Sequence, residues 1–254
     1  MKKLLLLKVI IKNLMRLHPR YLYLLKKKKL RSRIGMTSPV IKKNIFIVTS
    51  CINIHDNISY PIHNEKHTVS ERFNETLVGL KSIRNNYSDC YILFLESSRI
   101  SNLEKKHIEI LIDEYFDYSE YNSIKLARKH FNKGVPQFTA LVNFLEENRE
   151  NYFADNFHFL GARYSLIDNI TENKNPLPGA YFLYYPEHNN VSTRYFFISK
   201  ITLSEMIKPF RKTLYCAIVG TSVEDFIDSF FPKNGYLSKL GIMGRVNGKD
   251  TIYE

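Results

Sequence analysis

The chain has 254 residues, 44% of them hydrophobic, with 37 Lys and Arg against 25 Asp and Glu and a formal net charge of +12. Its first 43 residues carry fourteen of those cations and no acid, leaving 23 basic and 25 acidic residues in the remainder, so the charge excess belongs to one segment. Three cysteines, odd in number, widely spaced and free of C-x-x-C, give no support for a disulfide framework or a zinc knuckle and point to a reducing compartment.

The basic segment alternates its cations with apolar clusters: Leu4 to Leu7, Val9 to Ile11, then Leu14, Met15 and Leu17, then Tyr21 to Leu25 and the run Lys26 to Lys29. A helix over Lys3 to Leu17 sets Leu, Ile and Val beside Lys8, Lys12 and Arg16. A lipid surface can absorb that apolar area, whereas a phosphate backbone cannot. Residues 2–33 are therefore expected to bind an anionic membrane surface, with a nucleic-acid arm and a helix packed on its own domain as the alternatives. Lys8 interrupts the leucines well short of the ~20 apolar residues that span a bilayer, and no signal-peptide pattern is visible. The expected organisation is a basic segment with linker over 1–43 and a single α/β body over 44–254. Its expected location is cytoplasmic, peripheral at the inner face of the membrane.

Within the body, Asn44 to Ser50 and Cys90 to Glu96 read as strands buried on both faces. Capping boxes Thr68-Val-Ser-Glu71 and Ser101-Asn-Leu-Glu104 open helices through Ile83 and Ile112. Helical patterns follow over Tyr121 to Phe131 and Pro136 to Asn148, then a short strand at Phe157 to Leu160. After a Pro-rich turn come strands at Ala180 to Tyr185 and Thr193 to Ser199, a helix over Leu203 to Lys212, and a short run Leu214 to Val219. A third capping box, Thr221-Ser-Val-Glu224, leads into Phe226 to Phe231, and the last segment reads as two strands joined at Asn247-Gly248. Alternating strands and helices predict an α/β domain with right-handed crossovers.

Ligands of open α/β sheets bind outside the carboxyl ends of the strands. Those ends nominate Thr49, Ser50 and Cys51; Glu96, Ser97 and Ser98; and Gly161, Ala162, Arg163 and Tyr164. The planar fork of Arg163 suits a phosphate or diphosphate, although pairing with a carboxylate such as Asp168 is the plain alternative.

The segments Ile45 to Asn53, Ser70 to Arg84, Cys90 to Ser98, Phe157 to Leu166, Gly220 to Ile227 and Leu240 to Lys249 together resemble small bacterial and viral glycosyltransferases of the GT-A, nucleotide-diphospho-sugar transferase, type. The resemblance implies an α/β fold with a GT-A-like, Rossmann-like mixed sheet and helices on both faces, and a nucleotide-sugar donor with a surface-glycan or lipid-linked acceptor. It also implies that the first strand end and Arg72 flank the nucleotide. The family's D-x-D does not follow any hydrophobic strand here, the nearest text being Asp155-Asn-Phe-His158. A divalent metal is thus in doubt, and Arg163, helped by Arg72 or Arg194, could stand in its place on the leaving diphosphate. Glu224, with Asp225 behind it, is the candidate general base, although capping its helix is the favoured role, and Glu96 is the other candidate, with binding of a sugar or ribose hydroxyl as its alternative. His55, His63 and His67 form a weaker metal candidate. The competing functions are a catalytically silent membrane-surface binding protein on the same scaffold and another nucleotide-using α/β enzyme such as a methyltransferase.

Overall fold

A computed structural model describes residues 21, 23–24, 38–53, 68–130, 132, 134–169, 176–237, 239, 241–245 and 251–254. Strands β1 (Val40–Ser50), β2 (Cys90–Glu96), β3 (Glu114–Asp117) and β4 (Tyr152–Gly161) run parallel. Beyond β4 lie β6 (Gly179–Tyr185), β7 (Asn190–Val191), β8 (Tyr195–Ser199) and β9 (Lys233–Leu237), giving the order β3-β2-β1-β4-β8-β6-β7 with β9 beside β6. Because β8 is antiparallel to both β4 and β6, the sheet is mixed, as the resemblance implies. A small antiparallel sheet joins β5 (Ser165–Leu166), β10 (Ile242–Arg245) and β11 (Thr251–Tyr253).

Alternation along β1 explains why its run is continuously apolar. Ile45 and Ile47 enter one core with α3 (Asn122–Ala127), α4 (Gly134–Asn148) and α5 (Leu203–Ile218), while Phe46 and Val48 enter a second core with α1 (Val69–Asn86) and α2 (Asn102–Glu109). Both predicted capping boxes at Thr68 and Ser101 are formed, and a third at Thr202–Glu205 opens α5. The buried face of α1 carries Arg72, Thr76, Gly79, Leu80 and Ile83. Gly79 is required there: a Cβ would meet the Ala162 carbonyl oxygen at 2.6 Å and that of Tyr164 at 2.8 Å. This close approach sets α1 directly on the loop after β4.

Several expectations are corrected. The first strand begins at Val40, inside the predicted linker, because Val40 N–H donates to Asn151 O at 2.9 Å and the ladder with β4 starts at Val40 opposite Tyr152. Tyr21 and Leu24, assigned to the basic segment, are buried in the body's core, and Tyr21 Oη donates to Lys129 O at 2.7 Å. The helices opened at Ser101 and Tyr121 stop at Glu109 and Ala127, short of the expected Ile112 and Phe131, whereas α5 continues past Lys212 to Ile218 because Leu214, Cys216, Ala217 and Ile218 are all buried. Asp155 to His158, expected ahead of a strand, lies within β4. His158 is fully buried, stacked on Phe46 at 4.3 Å with Nδ1 2.8 Å from Tyr195 Oη, and burial pushes its imidazole down to about 3. The predicted turn at Asn247-Gly248 lies outside the described residues, though β10 and β11 do pair antiparallel.

Candidate functional site

The register fixes where the predicted strand ends meet. Ser50 sits opposite Glu96 and Thr49 opposite Gly161, so the three carboxyl ends share one end of the sheet. A cavity of about 370 Å³ opens there, and Thr49, Ser50, Cys51 and Arg72 line one side of it. Gly161, Arg163 and Tyr164 line another, and Glu224 closes the rim with Thr193 and Arg194. This volume falls within the usual range for small-molecule sites.

Glu96 does not reach the cavity. It is fully buried, and its Oε1 accepts from Ser98 N–H at 2.7 Å, Ser98 Oγ at 2.5 Å and Ile52 N–H at 3.4 Å. The nearest amides captured the carboxyl that the sequence put forward as a base or as a partner of a sugar or ribose hydroxyl. Its Oε2 has no hydrogen-bond partner among the described residues, and burial raises its pKa above the ordinary carboxyl value. Ser97 Oγ donates to Ser50 O at 2.7 Å and Asn53 N–H to Ser98 Oγ at 2.9 Å. Glu96 to Ser98 thus tie the first two strand ends together from behind the cavity wall.

Three guanidiniums face the cavity from different elements, each held differently. Arg72 is almost wholly buried in the first turns of α1, and its Nη1 donates to Cys51 O at 3.2 Å. Arg194 is ion-paired to Glu254 and also donates to Tyr185 Oη at 3.1 Å. Arg163 is half-buried and has no ion pair or hydrogen bond to its side chain among the described residues. Its anticipated partner Asp168 is instead bonded by Lys239 at 2.8 Å. A guanidinium held at a cavity wall without a protein anion is poised for an external one.

The amino end of α4 completes the positive side. Asn132 Oδ1 accepts from Gly134 N–H at 2.9 Å, and Asn132 Nδ2 donates to Ala217 O at 3.1 Å and Thr221 O at 3.4 Å. His130 Nδ1 accepts from Asn132 N–H at 3.0 Å while its Nε2 lies 3.0 Å from Ile218 O, which assigns the proton to Nε2. This staple aims the start of a 15-residue helix at the cavity, where its dipole favours an anion. Gln137 Nε2 then donates to Thr49 Oγ1 at 2.8 Å, fixing the first strand end.

Glu224 is not a helix cap. Residues 224–226 form a turn before a short 3₁₀ segment, Ile227–Phe230, and the Thr221 hydroxyl donates to Cys216 O at 2.7 Å instead of accepting from Glu224 N–H. The Glu224 carboxylate accepts from Thr193 Oγ1 at 2.9 Å and Ser222 Oγ at 2.8 Å, half-buried at the cavity rim. Cys51 also lines the cavity, but burial, reinforced by Glu96 and opposed by Arg72 and Arg128, pushes its thiol up to about 11, which rules against a thiolate nucleophile at neutral pH. Tyr164 is wedged between glycines: a Cβ on Gly244 would meet its ring at 2.4 Å and one on Gly161 at 3.2 Å.

Among the described residues the cavity offers one carboxylate beside three guanidiniums, a donor set that does not compose a divalent-cation site. Among the described residues no group of three or more His, Cys, Asp and Glu could hold a metal, and His55, His63 and His67 lie outside them. Sequence reasoning missed Asn132, Gln137 and Thr193, whose roles depend on contacts across 31 to 89 residues.

No protein-family model matches the chain, and no curated protein does. Among solved structures it is similar to the galactosyltransferase LgtC in complex with donor and acceptor sugar analogs, at 10% identity and TM-score 0.46, covering 74% of this chain and 70% of that one. It is similar also to the WbbM bifunctional glycosyltransferase, at 11% identity and TM-score 0.43, covering 72% of this chain and 36% of that one, so it spans about a third of that protein's length. The mannosyltransferase Ktr4p from S. cerevisiae is similar at 11% identity and TM-score 0.37, with 88% of this chain and 72% of that one covered. Likeness at this level is one of general outline and does not extend to individual side chains.

Proposed function

We propose that the chain is a GT-A-like glycosyltransferase that moves a sugar from a nucleotide-sugar donor to a surface-glycan or lipid-linked acceptor. The observation that carries this reading is the unpartnered Arg163 guanidinium in a cavity at the carboxyl ends of β1 and β4, beside Arg72 and the amino end of α4. Those three positive features suit the diphosphate of a nucleotide-sugar. As the anomeric carbon–oxygen bond breaks, its electron pair passes to the diphosphate, and the guanidiniums oppose the charge that develops there. The acceptor oxygen forms the new bond to the anomeric carbon. In an inverting transfer its proton passes to Glu224, the sole carboxylate among the described cavity-lining residues.

The donor set described above supports transfer without a metal, with Arg163 supplying the charge. Attachment to an anionic membrane through residues 2–33 belongs to the same proposal. It is supported by the charge and leucine pattern of that segment and by Ile41 and Phe153, cross-strand neighbours 76% and 41% exposed at the end of the sheet opposite the cavity. The test is a panel of nucleotide-sugars assayed for binding and hydrolysis with Mn²⁺ and with a chelator. One donor is expected to bind and turn over in both conditions. Turnover that vanishes on chelation would refute metal independence, and absence of any donor would refute the assignment.

A further inference from the structure

A second chamber of about 470 Å³ adjoins the first and shares Thr193, Arg194, Ser222 and Glu224 with it. The two halves of this cleft carry opposite charge. Among the described residues, the first is lined by Arg72, Arg163 and Arg194 against Glu224, whereas the second is lined by Glu187, Glu224 and Glu254 against Arg194, with the imidazole of His188 beside them. Hydroxyl and amide groups from Tyr185, Asn190 and Ser192 fill out the second wall.

The carboxylates at this boundary are anchored. Glu254 is mostly buried and accepts from Arg194, from Tyr185 Oη and, at 3.2 Å, from Ser192 Oγ. Glu224 is held from the other side by Thr193 and Ser222. Arg194, already committed to Glu254, has little charge left for an anion in the second chamber, while the exposed Glu187 adds an unneutralised negative charge at its mouth.

We propose that this chamber binds the acceptor and selects it by charge, taking a neutral or ammonium-bearing sugar and rejecting one with a carboxylate or phosphate on the ring that enters. This rests on the function proposed above. A hydroxyl-rich ring satisfies a wall of mixed donors and acceptors, and an ammonium group gains from the carboxylates. An anionic ring would desolvate its charge beside Glu187 and Glu224, two carboxylates without an ion pair among the described residues, with the Arg194 guanidinium already held by Glu254.

The test titrates the full chain with the methyl glycosides of glucosamine, glucose and glucuronic acid by saturation-transfer NMR, and separately with UDP and GDP. The glucosaminide is expected to bind at least as well as the glucoside, and the glucuronide about tenfold or more weaker. Glu187→Gln, a change in the exposed turn between β6 and β7, should lower glucosaminide affinity roughly two- to fivefold towards that of the glucoside. Equal or tighter binding of the glucuronide, or binding of a nucleotide but of no glycoside, would overturn the charge-selective chamber. Glycosides that follow the expected order while no nucleotide binds would instead count against the transferase assignment alone.

Discussion

Arg163→Lys isolates what the cavity does with its unpaired guanidinium. The side chain is half-buried and makes no ion pair or hydrogen bond among the described residues, so replacing it leaves no orphaned carboxylate behind. Stability should therefore stay within about 0.5 kcal/mol of wild type. Lysine keeps the charge but cannot present two parallel N–H donors to one phosphate. Losing one charge-assisted hydrogen bond of about 1.5–2 kcal/mol predicts roughly ten- to thirtyfold weaker binding of a nucleoside diphosphate. Arg163→Ala loses both bonds and the charge, and about 3 kcal/mol predicts a loss beyond a hundredfold. Titration calorimetry with UDP and GDP, paired with thermal melts, reads both quantities. Wild-type affinity in Arg163→Lys, with an unchanged melt, would refute the assignment of this side chain to a diphosphate.

Gly79→Ala forces a Cβ to within 2.6 Å of the Ala162 carbonyl oxygen, so α1 and the Gly161 to Tyr164 loop must separate. A stability loss of about 1–3 kcal/mol and weaker nucleotide binding are expected, and a melt identical to wild type would show that the contact relaxes freely. Burial raises the folded-state pKa of Glu96 above its unfolded value, so its contribution to stability is complete below about pH 4.3 and is lost as pH rises through the folded value. Glu96→Gln keeps an acceptor for Ser98 and removes that titration, so its melting temperature relative to wild type should climb as pH rises from about 4 to 8; a constant difference would contradict the raised value. The full chain is expected to bind anionic vesicles with an affinity that falls as salt rises but retains an apolar component, whereas a steep salt slope on nucleic acid and indifference to vesicles would defeat the membrane proposal.

The local signals in the sequence translated well. Cys90 to Glu96 is β2 residue for residue, and the boxes at Thr68 and Ser101 start their helices because a cap closes within four residues. The same logic failed at Thr221-x-x-Glu224, where Cys216 O and Thr193 Oγ1, one of them 31 residues away, compete for the two side chains. β3 escaped notice because its four residues, Glu114–Asp117, begin and end on charge and gain their order from pairing with β2. Strand ends located the cavity because parallel register carries Ser50, Glu96 and Gly161 to one side, but register says nothing about direction, and Glu96 turned inwards to its neighbours' amides. The second chamber was invisible in sequence, since Glu254 meets Arg194 across 60 residues through the β10–β11 unit.

The most direct measurement of the central claim is a crystal structure of the full chain with the nucleotide-sugar it binds best. The diphosphate is predicted between Arg163, Arg72 and the amino end of α4, with the sugar directed towards Glu224. A nucleotide bound elsewhere, or in the cavity with its phosphates away from Arg163, would contradict the account.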